Sequence, residues 1–211
     1  MTEKRKLTDF GQFMLKRDFN DEKTWAILLC NLAYSPAFNW YITNIPFDVD
    51  YTSETAALDL ADASKHAIGE FWNAFKTILD SNSCLQLIGF GIPEIESKTT
   101  KMGDVKKKML SLRRTAWMNP DSLTILYSLY KFAEACGGYY QFSLSTLLDD
   151  SIERDGVSPT RIFGLGEDEM KRILNGLSSN YPDFISASFT LDLDNITLRS
   201  EKTADDVLQL F

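Results

Sequence analysis

Residues 184–198 read FISASFTLDLDNITL, and the rest of the chain is best understood outward from this stretch. Ile185, Ala187, Phe189 and Leu191 alternate with Ser186, Ser188 and Thr190, the period of a strand with one buried face. Asp192 to Asn195 has turn chemistry, and Ile196 and Leu198 resume the alternation on a returning strand. A β-hairpin is expected here.

Upstream, Gly166 precedes a helix whose first turn is Glu167, Asp168 and Glu169, three acids at the positive end of the helix dipole. Met170, Ile173, Leu174 and Leu177 form its apolar face, and Pro182 ends it. Ser143 caps a short helix with Leu144, Leu147 and Leu148, after an extended piece from Tyr139 to Phe142. Asn119 and Pro120 open another helix, with Leu123, Leu126, Tyr127, Tyr130 and Ala133 on one face and Gly137-Gly138 as its stop. Downstream, Thr203 and Asp206 have the spacing of a capping box. Helix, short strand, helix, helix, strand, turn, strand is the order of a winged helix.

The first 80 residues read as helices. Thr8 caps one carrying Phe10, Phe13 and Met14, and Asp21 caps one carrying Trp25, Leu28, Leu29 and Leu32. Ser53 opens a third, through Ala57, Leu60 and Ala67, and Phe71, Trp72, Phe75, Ile78 and Leu79 continue the helical period. Residues 81–104 carry turn and loop signals, including Gly89-Phe-Gly91. In VKKKMLSLRR, residues 105–114, Val105, Met109, Leu110 and Leu112 suggest a buried helical stripe beneath a solvated basic face. The expected fold class is therefore mostly α: an N-terminal helical region, residues 1–115, followed by a winged-helix-like domain with a small β-hairpin, residues 116–211.

Charge divides the chain at the same place. Residues 1–115 carry 15 basic and 15 acidic side chains, while residues 116–211 carry 7 and 15, so the whole net charge of −8 lies in the C-terminal half. No apolar run approaches the roughly 18 to 20 residues of a membrane span. The basic N-terminus has no apolar stretch after it, which is unlike a signal peptide. Cys30, Cys84 and Cys136 are odd in number and widely spaced, as expected of reduced thiols in a cytoplasmic protein rather than a disulfide framework.

Few residues can carry chemistry. His66 is the single histidine, and no cysteine pair has the spacing of a zinc site. Nothing in the spacing joins His66 to a cysteine nucleophile. Gly89-Phe-Gly91 and Gly164-Leu-Gly166 lack the full pattern of a phosphate loop, and three acids follow Gly166. No metal, no cofactor and no enzyme activity are expected. What remains is charge: Lys98, Lys101, Lys106, Lys107, Lys108, Arg113 and Arg114 lie within 17 residues that hold one acid, Asp104. They could track a phosphate backbone. In a winged helix, Lys171, Arg172 and Asn175 would face a major groove, but the acids of the same helix and of the hairpin turn would meet phosphates with the wrong sign.

Nearly the whole chain resembles a bacterial family, domain of unknown function 4007. The resemblance rests on Leu7-Thr8 with Gly11, Thr24-Trp25, Leu28-Leu29, Leu32-Ala33, Trp40-Tyr41 and Asn44. It is closer in Ser158-Pro159, Ile162-Phe163-Gly164-Leu165, Leu174 with Leu177, Tyr181-Pro182-Asp183, Phe189-Thr190 and Leu193-Asp194-Asn195-Ile196. The Gly-His-Glu-Thr-Phe motif near the start of family members does not occur in this sequence. Genes of that family often lie beside those for phosphoadenosine-phosphosulfate-reductase-like proteins, DNA phosphorothioation and phage defence. The resemblance implies a non-enzymatic accessory role in such a system, with DNA and other proteins of the system as partners, and it supplies no catalytic residues. A protein-interaction adaptor that uses an acidic winged-helix surface is the alternative expectation.

Overall fold

The computed structural model of the protein describes residues 7–59, 64–99, 104–149, 155–190 and 194–211. Local capping starts most of its helices. Thr8 Oγ1 accepts from the Gly11 amide and begins α1, Asp9–Met14; Asp21 accepts from the Lys23 amide and begins α2, Glu22–Leu32. Pro36 is the first residue of α3, Pro36–Asn44, where its fixed φ fits and no amide is lost. A short strand β1, Asp50–Thr52, runs into α4, Ser53–Asp59; Ser64 then caps α5, Lys65–Ser81. Asn82 caps α6, Ser83–Leu87, and strands β2, Ile92–Thr99, and β3, Val105–Arg113, follow.

Beyond these, Asp121 caps α7, Ser122–Ala135, so the helix starts later than Asn119 and Pro120 suggest. Strand β4, Gln141–Phe142, leads to α8, Leu144–Leu148. Ser158 caps α9, Pro159–Phe163, and Pro159 is its first residue. Helix α10, Glu167–Asn180, precedes β5, Ile185–Phe189, and β6, Asp194–Leu198. The capping box is present, with Thr203 and Asp206 exchanging bonds ahead of α11, Ala204–Leu208. Of the expected hairpin turn, Asp192 and Leu193 lie outside the described residues, as does Leu60 of the expected third helix.

The expected class, mostly α with a winged-helix-like second domain, is overturned. Eleven helices stand beside two three-stranded antiparallel sheets, ordered β1-β3-β2 and β4-β6-β5, among the described residues. The protein is mixed α and β, with a sheet in each half. The C-terminal sheet joins the hairpin to β4, and four helices, not three, lie between residues 119 and 184.

The larger departure is the N-terminal sheet, where residues 92–99 and 105–113 form a ribbon of two paired strands. A β-bulge accounts for the misleading spacing. Glu94 pairs with Ser111 and Ile95 with Met109, so Leu110 is an extra residue on β3. That insertion shifts the period of two by one. Met109 and Leu112, three apart, are then both buried, at 1% exposure each. Three-residue spacing is also the mark of a helix face, and lysine is a good helix former, so local propensity favoured the wrong period.

Buried side chains on both sides of Thr115 belong to one continuous cluster. Helix α2 packs on α7, and Tyr41, Phe75 and Phe90 meet in an aromatic group with centroids 4.5 Å apart for two of the pairs. The Tyr41 hydroxyl donates to the Phe90 carbonyl at 2.6 Å. Among the described residues no helix is long and apolar enough to cross a membrane.

Candidate nucleic-acid interface

The β2–β3 ribbon presents most of the expected basic residues. Strand β1 pairs only with residues 111–113 of β3, so the rest of the ribbon extends past the sheet's third strand. One face rests against α5: the Trp72 indole donates to the Met109 carbonyl at 3.2 Å, and Lys107 Nζ reaches Asp80 at 2.7 Å. Strand alternation turns Lys106 and Lys108 to the opposite face. Lys98 stands directly across from Lys106, and Glu96 across from Lys108. All three lysines are exposed. Two like charges facing each other across a ladder repel, so this end of the ribbon has electrostatic work that an anion could relieve.

The acids of β2 moderate that field, a feature hidden when residues 81–104 are read as loop. Glu96 pairs with Lys98 at 3.1 Å, and Glu94 accepts from Ser111 at 2.8 Å. Arg113 forms a two-point pair with Asp50, at 2.8 and 2.7 Å, which holds the Asp50 carboxyl below the ordinary range. Lys101 lies outside the described residues.

Arg114 cannot serve as a surface contact, which corrects its place among the expected DNA-binding residues. It is 1% exposed. Nη1 donates to the carbonyls of Ile42 and Ile45, at 2.8 and 2.9 Å, at the C-terminal end of α3. Nη2 donates to those of Arg161 and Ile162, at 2.8 and 3.0 Å, in the last turn of α9. The guanidinium also lies 4.0 Å from the Phe47 ring centroid. One cation thus caps two helices, where the dipole favours positive charge.

The expected groups on α10 are elsewhere. Lys171 pairs with Glu167 at 2.7 Å, and Arg172 makes two bonds to Glu169. Asn175 is exposed on the same helix. Helix α10 packs against α7, α8 and β5, whereas the ribbon packs against α5 and β1. The two sets of cations therefore belong to different sheets, and those of α10 are largely neutralised by the acids that also suit its N-terminus.

Among the described residues no cluster of three or more His, Cys, Asp and Glu side chains could hold a metal. His66 sits on the exposed side of α5, 3.2 Å from Glu70. Cys30 is buried in the core, and burial pushes its thiol up to about 12. Burial and the nearby Glu22, Asp21 and Asp18 also raise Cys84. Thiolate is the reactive form. At pH 8 a thiol reagent is therefore expected to modify Cys136, which is partly exposed, well before Cys30 or Cys84 in the native protein. Mass mapping after partial labelling checks this, and Cys30 labelling as fast as Cys136 would contradict it.

No protein-family profile, curated protein or solved structure matches the chain.

Proposed function

We propose that the protein binds duplex DNA through the outward face of the β2–β3 ribbon, with little sequence preference. Its role is then that of a non-enzymatic accessory protein in a bacterial DNA-modification or phage-defence system, acting in the cytoplasm. The observation that carries the DNA reading is the exposed lysine set Lys98, Lys106 and Lys108 on one face of a two-stranded ribbon. A ribbon of this kind is one of the shapes a major groove admits. The system-level role rests on the resemblance to the domain of unknown function 4007 family, through motifs such as Ile162-Phe163-Gly164-Leu165.

Three phosphate contacts give a slope of log K against log salt of roughly −3. Glu94, Glu96 and the net charge of −8 oppose association, so binding is modest and fades above physiological salt. Anisotropy of a labelled duplex, titrated at several salt concentrations, tests this. Lys98→Gln with Lys106→Gln removes the facing like-charge pair without adding an acid beside Glu96. The double variant is expected to lose duplex binding. Absence of any shift on duplex or single strands at low salt would end the DNA reading.

A second reading, a protein-interaction adaptor, draws on the acid excess of residues 116–211. With Lys171 and Arg172 already paired, Asp168 stays exposed on the first turn of α10, a surface suited to a basic partner. It predicts no duplex binding at about 0.1 M salt, where screening still leaves a length of about 10 Å.

A further inference from the structure

Strand β2 pairs with β3 along one side and, among the described residues, with no strand along the other. We propose that this open edge is a self-association site, where β2 of a second copy of the chain pairs antiparallel about a twofold axis at Ser97. The two N-terminal sheets then join into one sheet of six strands. The inference concerns the edge of the ribbon rather than its outward face, and it and the DNA reading can fail separately.

Backbone direction shows what the edge offers. The Arg114 carbonyl accepts from the Asp48 amide, on the β1 side of β3, while the Thr115 amide donates to the Gly89 carbonyl on the β2 side. These groups alternate along a strand, so Arg113 turns its own toward β2, where it faces Ile92. Ile92 therefore points inward and Pro93 outward, where proline costs no ladder bond. By the same alternation Ile95, Ser97 and Thr99 turn their amides and carbonyls to the open edge, and no hydrogen bond engages those groups among the described residues. The opposite edge of the ribbon is closed: beyond β1, the Trp72 indole donates to the Met109 carbonyl and Lys76 Nζ to the Lys107 carbonyl, both from α5. The edge of β2 is the one left for a partner strand.

Charge selects the occupant and the register. Centred on Ser97, two copies set Ser97 against Ser97 and Ile95 against Thr99, pairs that exchange about six backbone hydrogen bonds in all. The same register sets Glu96 directly across from Lys98 of the second copy, twice by symmetry, in the closer pairs of the ladder. Glu96 and Lys98 already share one face, 3.1 Å apart along the strand. Lys98, which faces Lys106 within its own chain, gains a second acid beside it. Other centres oppose like charges: Ile95 sets Glu94 against Glu96, and centres on Glu96 or Lys98 set each against itself. Proline and lysine on an edge ordinarily discourage pairing. Here Pro93 lies outside the paired segment, and Lys98 meets an acid. Five residues from each copy bury little surface, which makes a weak, reversible dimer.

Sedimentation equilibrium of the full chain, from micromolar to millimolar protein and without DNA, tests the assignment. A concentration-dependent equilibrium between monomer and dimer is expected. Ser97→Pro removes the amide at the twofold axis and, like Pro93, loses no bond to β3, so the chain is expected to stay monomeric with its circular dichroism unchanged. Lys98→Glu sets acid against acid, and Glu96→Lys sets base against base. Each alone is expected to weaken the dimer about 10-fold or more. An equimolar mixture of the two restores two opposite-charge pairs and is expected to form a heterodimer at least as tight as the native dimer. A native chain that stays monomeric at every concentration, a Ser97→Pro dimer as tight as the native one, or charge variants that do not recombine would overturn the proposal and leave the DNA reading untouched.

Discussion

Arg114→Met is expected to remove roughly 4–6 kcal/mol of folding stability, the largest single effect in the protein. The side chain is 1% exposed and its two Nη groups serve four carbonyls, two ending α3 and two in the last turn of α9. Methionine fills a similar length but donates nothing, so buried acceptors lose their partners at about 1–3 kcal/mol each when water cannot replace them. A typical domain has about 5–15 kcal/mol in total, so the variant sits near the edge of folding. Arg114→Lys keeps the charge but not the fork, and one ammonium cannot span carbonyls from two helices. It is expected to lose about half as much, which keeps the test measurable if the methionine variant does not accumulate. Urea unfolding monitored by tryptophan fluorescence reads both. A midpoint equivalent to less than about 1 kcal/mol of change for both variants would remove Arg114 from this role.

Gly89→Ala is expected to destabilise the protein by roughly 3 kcal/mol or more. Gly89 has φ +74° and closes α6 in a Schellman motif: its amide donates to the Gln86 carbonyl at 3.0 Å, and the Phe90 amide donates to that of Leu85 at 3.0 Å. A left-handed alanine there costs about 1 kcal/mol. Steric overlap adds more, because an ideal Cβ would stand 1.9 Å from the Thr115 carbonyl oxygen. The neighbour is backbone and is itself tied in, since the Thr115 amide donates to the Gly89 carbonyl at 3.1 Å. Relief therefore requires α6 to move off the end of β3. Gly176→Ala is the contrast. It lies within α10, a Cβ built there meets nothing within 4 Å, and alanine is the better helix former by up to about 1 kcal/mol. Thermal melts of the two variants should move in opposite directions, and a neutral Gly89→Ala would show that this approach is not tight.

Both predictions concern residues whose sequence context points elsewhere. Gly89 is visible as a turn residue, because glycine pairs punctuate the chain whatever surrounds them. That it also meets Thr115 across 26 residues has no local signal. Arg114 ends a run of basic residues, and a run of that kind is ordinarily solvated, so a surface role was the natural expectation. Its burial depends on two helix ends, from α3 and α9, converging on one point. The ribbon lysines are different. Lys98, Lys106 and Lys108 were legible as an exposed basic set because charge seeks water on strand or helix alike. A cavity of about 410 Å³ between α4, α5 and β3 was not legible, since Ser53, Lys65, Trp72 and Met109, which line it, lie on three separate elements.

The sequence by itself determined the helix starts at Thr8, Asp21, Ser143 and Thr203, the alternation of residues 185–189 and of Ile196 with Leu198, and the placing of net charge in the C-terminal half, whereas Asp194 and Asn195, read as turn, are paired residues of β6. These follow from interactions within a few residues, where a cap, a period of two or a charge needs no distant partner. Only the tertiary structure decided that residues 92–99 and 105–113 are strands, that a bulge at Leu110 buries Met109 and Leu112 together, and that Arg114 lies in the core. A strand's hydrogen bonds are made to another strand, and a buried charge is tolerated only where the whole fold gathers acceptors around it, so neither is written in the local pattern of side chains.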